Sequence, residues 1–102
     1  MQIEDIKGVE NLDEILRVKG VDAILTGPFD LSASMGMIGQ TGTDEIKEVF
    51  DKIAAKAIKA GIPFGAFAAD RRSAMEWQAR GAAFIAAATD TGLICAGAES
   101  FL

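Results

Sequence analysis

Between positions 44 and 59, apolar side chains recur at Ile46, Val49, Phe50, Ile53, Ala54, Ala57 and Ile58, while charged residues fill the other side. That spacing predicts an amphipathic helix. Thr43 stands ready as N-cap, Asp44 and Glu45 suit the positive end of the helix dipole, Lys56 and Lys59 suit the negative end, and Gly61 supplies a stop. The same reasoning predicts a helix over about 9–18 with Ile15 and Leu16 inward, one over 71–80 closed by Gly81, and one over roughly 91–100. Trp77, on the third of these, reads as a core or subunit-contact aromatic rather than a platform for a ligand. Between the helices lie short apolar runs at Val21–Thr26, Pro63–Ala68 and Ala83–Ala88, and Met1–Ile3 resembles the end of another. They are too short for helices and lack clean alternation, which suits strands of a parallel sheet buried on both faces. Strand followed by helix, four times over, is the signature of the α/β class with right-handed crossovers.

The chain has 102 residues. A closed eight-unit barrel takes about 250, so four βα units in this length are close to half of one. A flavodoxin-like domain competes, but it normally has a fifth strand and starts with a full one. An open sheet of four sequential strands has two bare edges and an uncovered inner face, so the chain is expected to pair with another half-barrel, its own copy or a missing N-terminal half. Residues 1–102 are read as a single half-barrel unit.

Composition narrows the chemistry. Fifteen acidic residues against ten basic ones give a net charge of -5 with no basic stripe, which argues against nucleic acid as the main ligand. The apolar runs stop well short of the ~20 residues that cross a bilayer, no signal segment opens the chain, and a cytoplasmic location is the expectation. Cys95 is the single cysteine, so there is neither an internal disulfide nor a metal knuckle. With no histidine at all, Ser-His and Cys-His nucleophile pairs and an imidazole base are excluded. Carboxylates, backbone amides, a metal or a partner must do the work.

An acid stands at or beyond the end of each predicted strand: Glu4, Asp30, Asp70 and Asp90. In α/β proteins that is the ligand-binding end. Asp70 and Asp90 precede helices and read first as N-caps. Glu4 is followed by no helix for several residues, which leaves a solvated loop carboxylate or a metal ligand. Asp30 either caps a short turn over Leu31–Ser34 or faces a ligand. Its setting, Gly27-Pro28-Phe29-Asp30, favours a ligand: Gly27 permits close backbone approach, Pro28 sets the turn, and the amides of Phe29 and Asp30 are freed at a helix start, where a carboxylate is well held. Two carboxylates on adjacent strand ends beside an anion nest match a hard divalent cation, Mg²⁺ or Mn²⁺, which keeps waters and takes only one or two protein carboxylates. The run Gly36–Gly42 lacks the Gly-Lys-Ser/Thr ending of a phosphate loop and reads as a flexible loop.

Gln2-Ile3-Glu4, then Gly20-Val-Asp-Ala-Ile-Leu-Thr-Gly-Pro-Phe-Asp-Leu-Ser32, then Gly65–Asp70 and Gly81–Asp90, resemble the C-terminal half of the HpcH/HpaI aldolase family over essentially the whole chain. The resemblance implies strands five to eight of a TIM barrel of the phosphoenolpyruvate/pyruvate superfamily. It implies a class II, metal-dependent aldolase, usually oligomeric, that cleaves 4-hydroxy-2-oxo acids to pyruvate and an aldehyde. On that reading Glu4 and Asp30 are the metal carboxylates for Mg²⁺ or Mn²⁺, with Co²⁺ a further candidate. Gln2 contacts pyruvate or its enolate as the catalytic group, and the Gly27–Asp30 turn holds the pyruvate carboxylate. The family's enolate-stabilising arginine and its histidine-aspartate pair come from the first half of the barrel, which this chain lacks. A catalytically inert (βα)4 fragment that self-associates is therefore the alternative expectation.

Overall fold

The computed structural model describes residues 1–102. Four parallel strands, β1 (Gln2–Ile3), β2 (Ile24–Thr26), β3 (Phe64–Ala68) and β4 (Phe84–Ala87), stand in the order β1-β2-β3-β4, each beside its neighbour in sequence. Six helices accompany them: α1 (Ile6–Glu10), α2 (Leu12–Ile15), α3 (Pro28–Ser34), α4 (Asp44–Lys59), α5 (Arg71–Ala79) and α6 (Asp90–Glu99). None is long and apolar enough to cross a membrane.

The register sorts the strand residues onto two faces. Ile3 pairs with Thr26, Ile24 with Phe64, and Ala66 with Ile85. Their side chains share the face toward the helices, where Ile3, Ile24, Phe64 and Ala66 join Leu12, Leu31, Ile46, Phe50 and Ile53 in one buried cluster. The other face carries Gln2 opposite Leu25, Leu25 opposite Gly65, and Gly65 opposite Phe84. No helix covers that face. On it the Phe84 ring occupies the space a side chain at position 65 would need, so Gly65 is required by close approach.

Helix α4 follows its periodicity: Ile46, Phe50, Ile53, Ala54 and Ala57 are buried, and Thr43 Oγ1 caps the first turn by accepting from the Ile46 amide. Ile58, expected inward, is half exposed at the helix end, where it reaches Gly81 rather than the sheet. Trp77 does pack as a core aromatic, edge-on to Phe50 and Phe64 at centroid distances of 5.7 and 5.9 Å, with the Arg80 guanidinium 5.0 Å from its ring centre.

Three expectations change. The helix predicted over 9–18 is two short ones that meet at Asn11; it begins at Ile6 because Asp5 caps it, its carboxylate accepting from the Lys7 amide at 2.7 Å, and its buried residue is Leu12 while Ile15 and Leu16 are half-buried. Asp90 does not cap α6: Thr89 holds the extended backbone and accepts from the Gly92 amide at 3.1 Å, while Asp90 is the first helical residue. Nor does α6 cover β4, for no residue after Ala68 is buried. Asp70 caps α5 as expected. Its carboxylate accepts from the Ser73 amide at 2.7 Å, and that bond holds its pKa below the ordinary carboxylate value.

Candidate functional site

The candidate site stands where β1 and β2 end. Gln2 lies on the open face of the sheet, and Glu4, two residues further along, projects to the same side. The Gln2 side-chain amide donates to Glu4 Oε2 at 2.7 Å, which leaves the second carboxylate oxygen free. Gly27 lies beneath both: a Cβ there would fall 2.7 Å from Gln2 Nε2, 2.9 Å from Glu4 Cβ and 3.0 Å from Glu4 Oε2. The backbone of Gly27 has an ordinary extended conformation, so it is the overlying pair, and not φ, that requires glycine. The structure thus brings Gln2, Glu4 and Gly27 into contact.

Asp30 enters differently. Of the two expectations for Asp30, the capping of a turn over Leu31–Ser34 does not hold: it lies in the first turn of a longer helix, α3, whose N-cap is Gly27 and whose first residue is Pro28. Proline is tolerated there because its missing N–H would have no partner in the preceding strand. The first intrahelical bond runs from the Leu31 amide to Gly27 O at 3.0 Å, so the amides of Phe29 and Asp30 lie before it, in the unpaired first turn. Asp30 is exposed and takes no hydrogen bond from Gln2. Glu4 also differs from expectation, since α1 begins only two residues after it; the capping is done by its neighbour Asp5, and the Glu4 carboxylate remains free of that duty.

Neither candidate carboxylate is committed to a basic side chain. None of the four ion pairs, Lys47–Asp44, Lys56–Asp13, Arg72–Glu76 and Arg80–Asp51, engages Glu4 or Asp30. Both carboxylates are exposed, and Glu4 packs directly on the backbone of Gly27. No cluster of three or more His, Cys, Asp or Glu forms, so a cation on either carboxylate would take most of its ligands from water or substrate, as Mg²⁺ and Mn²⁺ readily do. A cleft of about 570 Å³ runs from Pro28 and Phe29 of the candidate turn toward Lys47, Arg72 and Trp77 between α4 and α5, and Gln2, Glu4, Gly27 and Asp30 do not line it.

Two serines to which the sequence reading gave no role of their own brace this region. Ser32 Oγ donates to Phe29 O at 2.7 Å and accepts from the Gly39 amide at 3.3 Å, tying the glycine-rich 36–42 segment to α3. Ser34 Oγ donates to Leu31 O at 2.9 Å and accepts from the Ile6 amide at 3.1 Å. The only sequence signal for Ser34 is its place one helical turn after Asp30.

Comparison with known proteins identifies the family and the fold. The family model described as HpcH/HpaI aldolase/citrate lyase matches residues 1–96. A hydroxypyruvate/pyruvate aldolase of Deinococcus radiodurans is 39% identical over 100 residues, covering 98% of this chain and 36% of that protein. A 5-keto-4-deoxy-D-glucarate aldolase of Salmonella arizonae is 39% identical over 102 residues, covering 97% of this chain and 39% of its own length. The crystal structure of an HpcH/HpaI aldolase from Desulfitobacterium hafniense superposes with a TM-score of 0.89 at 37% identity, over 98% of this chain and 39% of that one. The chain spans less than half the length of these relatives, and its four βα units are a partial barrel, about half of their TIM barrel. By sequence and by fold the chain belongs to the HpcH/HpaI aldolase/citrate lyase family.

Proposed function

We propose that this chain is the metal- and pyruvate-binding half of a class II aldolase that reversibly cleaves 4-hydroxy-2-oxo acids to pyruvate and an aldehyde. The observation that carries the reading is the contact of Gln2, Glu4 and Gly27 at adjacent strand ends, with Asp30 on the helix that Gly27 caps. Residues 1–102 are one half-barrel unit, and its bare inner face is covered by the other half-barrel or by a second copy. The relatives' names, hydroxypyruvate/pyruvate aldolase and 5-keto-4-deoxy-D-glucarate aldolase, support an oxo acid as substrate.

Glu4 and Asp30 would hold the divalent cation, Mg²⁺ or Mn²⁺ with Co²⁺ a further candidate. Such an ion supplies the positive charge that stabilises the oxygen on which negative charge gathers as the carbon–carbon bond breaks. The chain's own groups do the rest of what this half contributes. The amides of Phe29 and Asp30, unpaired at the start of α3, bind the carboxylate of the oxo acid, and Pro28 fixes the turn that aims them. Gln2, its amide nitrogen engaged by Glu4, presents the opposite end of its side-chain amide to the pyruvate unit and orients it. Proton removal from the 4-hydroxyl falls to groups outside this chain, which has no histidine.

Titration of the chain with Mn²⁺, followed by electron paramagnetic resonance, tests the reading. Saturable binding that is lost in both Glu4→Gln and Asp30→Asn is expected, and pyruvate should tighten it. Binding of equal strength in all three proteins would remove the proposal. A second reading, an inert self-associating (βα)4 unit, is favoured by the absence of any buried residue after Ala68. Sedimentation together with exchange of pyruvate methyl protons separates the two: a stable oligomer that binds Mn²⁺ without catalysing exchange supports the inert unit, and exchange by the purified chain eliminates it.

A further inference from the structure

The short exit from β1 is held by α3 at both of that helix's ends. At one end the amide of Gly27, its N-cap, donates to Ile3 O at 3.1 Å; at the other, Ser34, its last residue, accepts from the Ile6 amide at 3.1 Å. Glu4 and Asp5 lie between those two anchors. Ile6 is the first residue of α1, and its amide is one of the donors a helix start leaves without an internal partner. Asp5 serves the Lys7 amide, so the Ile6 amide depends on a side chain brought from 28 residues away. Ser34 can supply it because its own hydroxyl proton is committed to Leu31 O at 2.9 Å, which fixes the rotamer and turns a lone pair outward.

Asp30 and Ser34 are four residues apart on α3 and share one face of it. The face that carries Asp30 is therefore the face fastened to the turn that follows Glu4. We propose that Ser34 is a positioning residue for the metal-binding pair: its hydroxyl joins the β1–α1 turn to α3 and so sets the separation of the Glu4 and Asp30 carboxylates. The inference rests on the metal-binding reading above and deepens it. Ser34 touches neither the cation nor the oxo acid. Without its hydroxyl, the β1 exit is joined to α3 at Gly27 alone and the Glu4 backbone is freer to move relative to Asp30, so part of the binding free energy goes into bringing the two together.

The test compares the full chain with Ser34→Ala and with Ser34→Thr, which keeps a hydroxyl. Three quantities are read: Mn²⁺ affinity by paramagnetic resonance, amide hydrogen exchange at Ile6 in the metal-free protein, and melting temperature. Ser34→Ala is expected to weaken Mn²⁺ binding about fivefold, the worth of one ordinary hydrogen bond, to speed exchange at Ile6, and to lower the melting temperature by no more than the several degrees such a bond is worth. Ser34→Thr should restore both readouts. Unchanged Mn²⁺ affinity in Ser34→Ala, while Glu4→Gln still abolishes binding, overturns the positioning role and leaves the metal-binding reading intact. Loss of affinity that merely follows a large fall in melting temperature, or that threonine does not restore, also overturns it. Binding by the parent chain that ignores Glu4 and Asp30 removes both inferences together.

Discussion

Residues up to Ala68 and residues after it have similar apolar content to the eye, yet only the first group builds a core. Every buried side chain falls between Ile3 and Ala68, where α4 lays Ile46, Phe50 and Ile53 against Ile24 and Phe64. Beyond it, Leu93 and Ile94 of α6 are 63% and 71% exposed, and Phe84 of β4 is 41% exposed. The difference lies in what each segment has to pack against. Strands β2 and β3 have a neighbour on either side and a long helix above them; β4 has one neighbouring strand, and every residue of α6 is exposed. Apolar composition measures a wish for burial, and only topology grants it. The candidate site stands in the first region, on strand ends that the core holds still.

The largest effect that separates the two regions should come from Phe64→Ala, which empties the centre of the core beneath Trp77 and is expected to cost about 3–5 kcal/mol of stability by urea unfolding. Ile94→Ala on α6 should stay within about 0.5 kcal/mol, as an exposed change does; a cost near that of Phe64→Ala would show that α6 is packed in solution after all. Next in size is Gly27→Ala. Its Cβ has no room under Gln2 and Glu4, so about 1–3 kcal/mol of strain is expected, with Mn²⁺ affinity falling at least tenfold. Full retention of binding would mean that Gln2 and Glu4 are not held as the structure shows. Amide exchange should then map the same divide without any substitution: slow at Leu25, Ala66 and Ile53, fast throughout 90–99.

The smallest effect belongs to Asp70. Its folded pKa is lowered, first by the Ser73 amide and then by the Ser73 hydroxyl, so the cap contributes stability above the ordinary value of 3.8 and loses it as pH falls through the lower folded value. Asp70→Asn keeps a capping oxygen but not the charge, and should flatten the acid limb of stability measured between pH 5 and pH 2. An acid limb identical to that of the parent chain would assign it to other groups, among them Asp13, whose pKa is lowered chiefly by its hydrogen bond from Lys56.

Much of this could be read before the coordinates. Helix α4 was legible because sixteen residues carry a full amphipathic period between clear caps, and the α/β order was legible because the apolar runs are too short for anything but strands. The split at Asn11 was not: α1 and α2 have too few turns for a period to show, and what ends α1 is local hydrogen bonding of Asn11 to Lys7 O. Gln2, Glu4 and Gly27 could be placed together from the two-residue period and parallel pairing of neighbouring strands. Ser34 lay beyond reach, because a hydroxyl that serves a backbone amide 28 positions away leaves no periodic trace. The nakedness of α6 was hidden for the opposite reason, since its alanines and leucine look like those of any helix that does have a surface to lie on.

The sequential order of the strands also bears on how the molecule comes into being. Each strand pairs only with the one before or after it, so no segment waits for a distant end of the chain. Among the three crossovers, the one from β2 to β3 is the longest and contains α4, and closing it assembles most of the residues that end up buried. Closing that central loop carries the largest entropic cost of the three crossovers and is offset by most of the buried core, whereas the crossovers to β1 and β4 span shorter loops. Gly27 stands at the start of that crossover, so the glycine under Gln2 and Glu4 is tied to the loop whose closure buries the core and owes nothing to the last helix.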